Sequence, residues 1–206
     1  MGLRPTEIRI MELFINNIFL ELSINAIAKR IDRHYRVVRV NILSLLNKNI
    51  VKSTELAGAR VISLNMKQPN FGMYMGYIEE SYAYEKIFKI LPQIDDIIAK
   101  AREISPFFCL GVFGSYADNT FRKGSDIDVF LICNKNDEKI YQNMIRQFPA
   151  IEDMLHWNVF SSDEFSKGLK AKGLNVYKEI IKNKIILKDS DIFYNIIAEA
   201  GEIGKD

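Results

Sequence analysis

The sequence predicts a mixed α/β protein of the α+β kind, in which a helical N-terminal unit closed by a short hairpin precedes a mixed sheet with flanking helices. Three observations point there. Apolar residues recur at helical spacing as far as Asn47 and then give way to two short β-prone runs. Two later runs, Phe107–Phe113 and Ile127–Ile132, are short and almost continuously apolar, the pattern of buried strands. Long stretches of helical periodicity, Glu80–Ile104 and Phe165–Ile185, flank those runs. With 206 residues, 48% of them hydrophobic and 26% charged, the chain can bury the core of one or two domains and lacks the composition of a disordered protein.

Pro5-Thr6-Glu7 opens a first helix, since proline suits the first turn, and Ile8, Met11, Phe14 and Ile15 form its inner stripe. The helix is expected to end near Asn16-Asn17. Ser23 is placed to cap a second helix with Ile24, Ile27, Ala28 and Ile31 inward, and Asp32 marks the turn after it. A third helix follows from about Arg33 to Asn47. Val38, Ile42, Leu45 and Leu46 gather on one side, with Arg33, Arg36 and Val40 opposite and Arg39 flanking them. Ile50–Ser53 and Arg60–Leu64 read as two strands, with Glu55–Ala59, Gly58 included, as the turn.

The net charge of +2 hides an asymmetry. Residues 1–68 carry 11 Lys and Arg against 5 Asp and Glu, whereas the rest of the chain carries 17 against 21. A basic first third attracts phosphate backbones, and an acidic remainder repels them unless a metal intervenes. The order helix, helix, helix, strand, strand over residues 4–67 resembles the winged helix-turn-helix family of transcription regulators. That resemblance implies a recognition helix in the major groove of double-stranded DNA, with Arg33, Arg36 and Arg39 as its DNA-binding residues. A winged helix that docks on protein and an ordinary solvated face stay open as alternatives. His34 reads as a capping or phosphate-side residue rather than a metal ligand.

Residues 1–68 are thus expected to form a first domain. Residues 69–84 are expected to be a linker, because Pro69 and Gly72 flank Asn70 without periodic apolar spacing. Residues 85–206 make up the second domain with its C-terminal helices. In the Glu80–Ile104 pattern the apolar members are Tyr84, Ile87, Phe88, Leu91, Ile94, Ile97 and Ile98, and Pro92 is expected to kink or divide the helix. Phe165–Ile185 and Ile192–Ile203 read as helices that pack on the sheet or supply a homodimer surface.

The most informative stretch lies between the two strand runs. The first ends abruptly in Gly114-Ser115-Tyr116-Ala117, and the second begins within Ser125-Asp126-Ile127-Asp128. Gly114 permits close backbone approach, Ser115 adds a hydroxyl, and a helix from about Ser115 would aim its first amides at a polyphosphate. Residues two apart in a strand share a face, so Asp126 and Asp128 are expected to bring two carboxylates together. Paired hard oxygens of this kind suit Mg²⁺ or Mn²⁺, which complete their shells with water and substrate phosphates. Gly114-Ser115, ten residues, then Asp126-Ile127-Asp128 resembles the minimal nucleotidyltransferases of the DNA polymerase β superfamily, over roughly residues 85–165.

The resemblance implies transfer of a nucleoside monophosphate from a nucleoside triphosphate to a hydroxyl, with release of pyrophosphate. Asp126 and Asp128 would be the metal ligands and catalytic acids, Gly114 and Ser115 the phosphate cradle, and Arg122 and Lys123 a source of further positive charge. It also implies a third carboxylate on a neighbouring strand, and here the candidate strand Leu155–Phe160 has no acid. His156 holds the matching position, with Asn158 after it and Glu152 and Asp153 before the strand. His156 can be a catalytic stand-in, a mark of nucleotide binding without transfer, or an ordinary strand residue beside an acid from Glu152 or Asp153.

Two functions follow from these readings: a metal-dependent nucleotidyltransferase joined to a DNA-binding winged helix, with a protein among its conceivable acceptors, or a nucleotide-sensing transcription regulator built on a degenerate site. Cys109 and Cys133 fit no metal-ligand spacing and are expected to be buried free thiols, which suits a reducing cytoplasm. No stretch approaches the ~18 uninterrupted apolar residues of a membrane span, and no signal-peptide pattern opens the chain. The expectation is a cytoplasmic protein.

Overall fold

The computed structural model describes residues 2–15, 17–56, 58–89, 91, 93–118, 120–122, 124–146 and 154–200. The expected α+β architecture is present as two sheets with helices packed around them. Helix α1 (Pro5–Glu12) starts where proline allows, and the Glu7 carboxylate accepts from the Arg4 backbone N–H at 2.7 Å. Its inner face is Glu7, Ile10 and Met11, continued by Phe14 and Ile15 in the turn that follows, while Ile8 is only half-buried. Buried Glu7 is 2.6 Å from the Lys48 ammonium. Burial pushes its carboxyl up, but the bonds from Lys48, Ser44 and the Arg4 amide outweigh that and hold it below the usual carboxylate range.

Strand β1 (Leu22–Ser23) runs directly into helix α2 (Ile24–Arg30), which Ser23 caps by accepting the Ala26 N–H at 3.2 Å. Asp32 then turns the chain with φ +51°, and α3 (Tyr35–Asn47) begins behind His34, whose Nδ1 accepts the Arg36 N–H at 3.3 Å. The capping reading of His34 therefore holds, and α3 starts two residues later than Arg33. Strands β2 (Val51–Leu56) and β3 (Ala59–Leu64) pair antiparallel from Val51 opposite Leu64 to Leu56 opposite Ala59, so the hairpin is longer and its turn tighter than expected. Strand β1 adds to β3, giving the order β1-β3-β2; two residues were too few for any periodic signal.

The stretch expected to be a linker is mostly helix. After turns in which the Gln68 N–H reaches Asn65 and the Phe71 N–H reaches Gln68, α4 (Phe71–Ala83) buries Phe71, Met75, Ile78 and Glu79. Pro69 and Gly72 beside Asn70 gave the sequence its connector look, and Gly72 and Gly76 both weaken helix propensity. Their small size has a packing reason. A Cβ on Gly72 would fall 1.9 Å from the Asp191 carboxylate, and one on Gly76 2.8 Å from the Ser190 hydroxyl. A π-helical turn (Tyr84–Phe88) follows and α5 (Ile94–Ile104) comes after a break; Pro92, expected to divide the pattern, lies outside the described residues.

The second sheet has the order β6-β5-β4-β7. Strand β4 (Phe108–Phe113) is buried along its whole length and pairs antiparallel with β5 (Ile127–Cys133) and β7 (Lys184–Lys188). Strands β5 and β6 (Leu155–Ser161) are parallel, and α6 (Glu138–Ile145) lies in the crossover between them. Helices α7 (Ser162–Lys170) and α8 (Val176–Lys182) lead into β7, and α9 (Ser190–Ala200) closes the described chain. The single helix expected over Phe165–Ile185 is thus two helices and the start of a strand. A strand buried on both faces reads as an unbroken apolar run, and Lys184-Ile-Ile-Leu-Lys188 carries no alternation to betray it.

One face of this sheet shares a continuous core with the N-terminal unit. Phe130, Phe165 and Phe193 belong to the same cluster as Ile10, Phe14, Ile42 and Ile62, with Phe71, Met75 and Ile78 of α4 also in it. The opposite face buries Leu110, Val112, Val129 and Leu131 against Ile97 and Tyr141. Cys109 and Cys133 are buried and free, as expected, and burial pushes the Cys133 thiol up to about 12. Among the described residues no helix is long and apolar enough to cross a membrane.

At the seam of the shared core sits a buried ion pair. The Lys184 ammonium is 2.8 Å from Glu79 Oε1 with both side chains wholly inaccessible, and it also donates to the Ile15 carbonyl and to the Tyr194 hydroxyl, each at 3.1 Å. All three ammonium protons are thereby used. Glu79 in turn accepts from the Ile186 N–H at 3.2 Å and from the Tyr194 hydroxyl. Burial, reinforced by the neighbouring carboxylate, pushes the Tyr194 phenol well above its ordinary value, so it stays a donor. Lys184→Met, which strands the Glu79 charge, should cost about 3–5 kcal/mol in urea unfolding, and Glu79→Leu/Lys184→Met should recover most of that loss. A single variant as stable as the parent would show that the pair does not hold the seam.

Candidate functional site

Strand β4 ends at Phe113, and the chain turns at Gly114 with φ +66°, a left-handed conformation that glycine adopts without strain. Close approach adds a second requirement. A Cβ on Gly114 would lie 2.6 Å from Asp128 Oδ2, so the carboxylate occupies the space that a side chain would need. The register explains the meeting: Phe113 is paired with Asp128 across β4 and β5, which puts the turn at the carboxylate's side. Asp128 is the second residue of β5 and half-buried, while Asp126 precedes the strand by one residue and is exposed.

On the other side of β5, Asp128 is paired in parallel register with His156. His156 Nδ1 lies 3.1 Å from Asp128 Oδ1, with the imidazole 69% exposed. A carboxylate accepts here, so Nδ1 carries the hydrogen and Nε2 is left as the ring's other polar atom. Gly114, Asp128 and His156, expected from sequence to serve one site, are therefore adjacent. Asn158, the second candidate on β6, bonds instead through Nδ2 to the Val129 and His156 carbonyls, each at 3.5 Å. Lys123, Glu152 and Asp153 lie outside the described residues.

The helix expected from Ser115 is a single 3₁₀ turn, Gly114–Tyr116. Its reason is local: the Thr120 and Phe121 N–H groups turn back onto the Ser115 carbonyl at 2.9 and 3.2 Å, which ends any helical ladder. The amides after Gly114 therefore belong to a folded loop and not to a helix end. The loop braces itself. The Tyr116 and Phe121 rings stack with centroids 4.3 Å apart and planes 7° from parallel, the Tyr116 hydroxyl donates to the Ser125 carbonyl at 3.3 Å, and the Arg122 N–H donates to Ser125 Oγ at 3.0 Å. Arg122 is exposed on this loop. Among the described residues, Asn183 reaches the loop from further away, its Nδ2 donating to the Gly114 carbonyl at 3.3 Å. The sequence carried no sign of Asn183, because its partner is 69 residues away.

The donor set has a definite chemistry. Among the described residues no group of three or more His, Cys, Asp or Glu is placed to hold a metal ion. The two aspartates offer hard carboxylate oxygens, and His156 offers a nitrogen already engaged with one of them. Carboxylate oxygens such as these suit Mg²⁺ or Mn²⁺, which takes the rest of its shell from water and substrate phosphates.

A double-mutant cycle separates the two demands on Gly114. Gly114→Ala should destabilise the fold by about 1–2 kcal/mol from the left-handed backbone alone, with a further loss from the displaced carboxylate. In an Asp128→Ala background the second part should vanish and the first persist. Equal costs in the two backgrounds would mean that the carboxylate does not press on this glycine.

A sequence model of a protein family described as "Polymerase beta, Nucleotidyltransferase" matches residues 81–192, from the end of α4 to the start of α9. Comparison with curated proteins and with solved structures returned no significant match.

Proposed function

The chain belongs to the polymerase beta nucleotidyltransferase family, and from that membership we propose that it binds a nucleoside triphosphate over the Gly114–Asp128 loop and transfers the nucleoside monophosphate to a hydroxyl. The observation that carries this reading is the contact of Asp128 with both Gly114 and His156 where β4, β5 and β6 meet. Gly114 and Ser115 receive the β- and γ-phosphates, and Arg122 and Lys123 add positive charge from the loop. Asp126 and Asp128 hold the divalent cation, which when bound neutralises charge on the α-phosphate and the departing pyrophosphate. The acceptor oxygen bonds to the α-phosphorus while the bond to the bridging oxygen breaks, and pyrophosphate leaves with the electron pair. His156, its tautomer fixed by Asp128, presents Nε2 to the acceptor hydroxyl and receives its proton.

A second reading, a nucleotide-sensing regulator that does not turn over, is favoured by one observation: the residue registered with Asp128 on β6 is a histidine and not a third carboxylate. Calorimetry and pyrophosphate release separate the two. Mg²⁺-dependent binding of a triphosphate, with pyrophosphate release that falls at least about 100-fold in Asp126→Ala and Asp128→Ala, supports transfer. Binding without release, restored to release by His156→Asp, supports sensing. No magnesium-dependent uptake of ATP, GTP, CTP or UTP would overturn both.

The N-terminal unit is proposed to be a winged helix that binds double-stranded DNA. Supporting this are the order α1-β1-α2-α3-β2-β3, the three-stranded sheet closed by the hairpin, and the exposure of Arg33, Arg36 and Arg39 at and along α3. Val37, Val40 and Leu43 are also exposed on α3, which is the observation favouring a protein partner instead. Arg36→Ala/Arg39→Ala should weaken DNA binding and lower the slope of log affinity against log salt by about 2. Unchanged affinity and slope would remove α3 from the DNA interface.

A further inference from the structure

The Gly114 carbonyl is where the phosphate loop is gripped from outside itself. Strands β4 and β7 run antiparallel with Val112 opposite Ile185 and Phe113 opposite Lys184, so one step further along each chain Gly114 faces Asn183. Asn183 closes α8 with φ −152° and ψ 87°, and its Nδ2 donates to the Gly114 oxygen at 3.3 Å. The same oxygen accepts the Ala117 and Asp118 N–H groups at 3.1 and 3.2 Å, but those donors belong to the loop itself. Asn183 does not. It is covalently joined to Lys184, whose ammonium is fixed by Glu79, Tyr194 and the Ile15 carbonyl.

We propose that Asn183 is a positioning residue for the nucleotide site, setting the orientation of the Gly114–Ser115 peptide and so the direction of the Ser115 N–H. This rests on the nucleotide-binding reading above. A trans peptide is planar, with its C=O and N–H pointing to opposite sides. A donor that holds the oxygen from the β7 side therefore directs the Ser115 N–H away from β7. Glycine makes the hold necessary, because at Gly114 other orientations of the peptide cost little. An amide already aimed at an anion binds it without reorganising, and the benefit is felt by the distal phosphates.

The test uses the full chain with Mg²⁺ and three probes: whichever of ATP, GTP, CTP and UTP the parent binds most tightly, the matching monophosphate, and inorganic tripolyphosphate. In Asn183→Ala the affinity for the triphosphate and for tripolyphosphate should fall about 5- to 10-fold, the share of one hydrogen bond, with monophosphate affinity unchanged. Asn183→Gln, which keeps an amide donor, should lose less. Equal losses for monophosphate and triphosphate would assign Asn183 a general structural part and overturn the proposal, as would no loss at all. Should Asn183→Ala not fold, Asn183→Gln and Asn183→Ser carry the same comparison. Failure of the parent to bind any triphosphate overturns the nucleotide reading itself, a result distinct from a parent that binds and a variant that binds equally well.

Discussion

The arrangement depends on a single ammonium group placed where water does not reach. Lys184 is buried, and every one of its protons is taken by a group from a different part of the chain: Ile15 in the turn after α1, Glu79 of α4, and Tyr194 of α9. A charge in that position is tolerated only with a full set of partners. The geometry is consequently all-or-none: α1, α4, β7 and α9 must come together around the amine in one way. Apolar packing alone would permit small slips between these elements; a fully coordinated ammonium does not.

The same strand that anchors the seam also borders the loop. Lys184 is paired with Phe113, Phe113 with Asp128, and Asp128 with His156, so a single row of residues across β7, β4, β5 and β6 runs from the buried pair to the site. This row accounts for the position of Asp128 better than any local preference does. Its carboxylate is held between the bare face of Gly114 and the imidazole of His156, which leaves it half-exposed at the edge of an otherwise apolar strand. Asp128 and His156 stand near strand starts, and the loop between β4 and β5 is braced by the Tyr116–Phe121 stack.

Much of this was legible in the sequence, and the failures share a cause. Pro5, Ser23 and the apolar runs at Phe108–Phe113 and Ile127–Cys133 act through near neighbours, so they can be read one segment at a time. The two-residue β1, the strand β7 and the helix α4 are specified by distant partners. Strand β7 becomes a strand because β4 offers it an edge, and α4 tolerates Gly72 and Gly76 because Asp191 and Ser190 approach them. At the candidate site, the turn at Gly114 and the place of Asp128 near the start of a strand were readable from spacing, whereas Asn183 and the self-bracing of the loop became visible only with the fold. The expected helix after Ser115 failed because the Ser115 carbonyl receives Thr120 and Phe121, a competition that no propensity scale contains.

Helix α4 has a consequence for how the two ends of the molecule address anything they both touch. Where a slack tether would let one module sample a cloud of positions around the other, thirteen residues of packed helix leave no cloud to sample. On the proposed reading, a surface bound by the arginine-bearing helix is held at one distance and one angle from the aspartate loop. That proposal makes the chain a gauge with a fixed span, for which only atoms lying at that span from the bound surface come within reach.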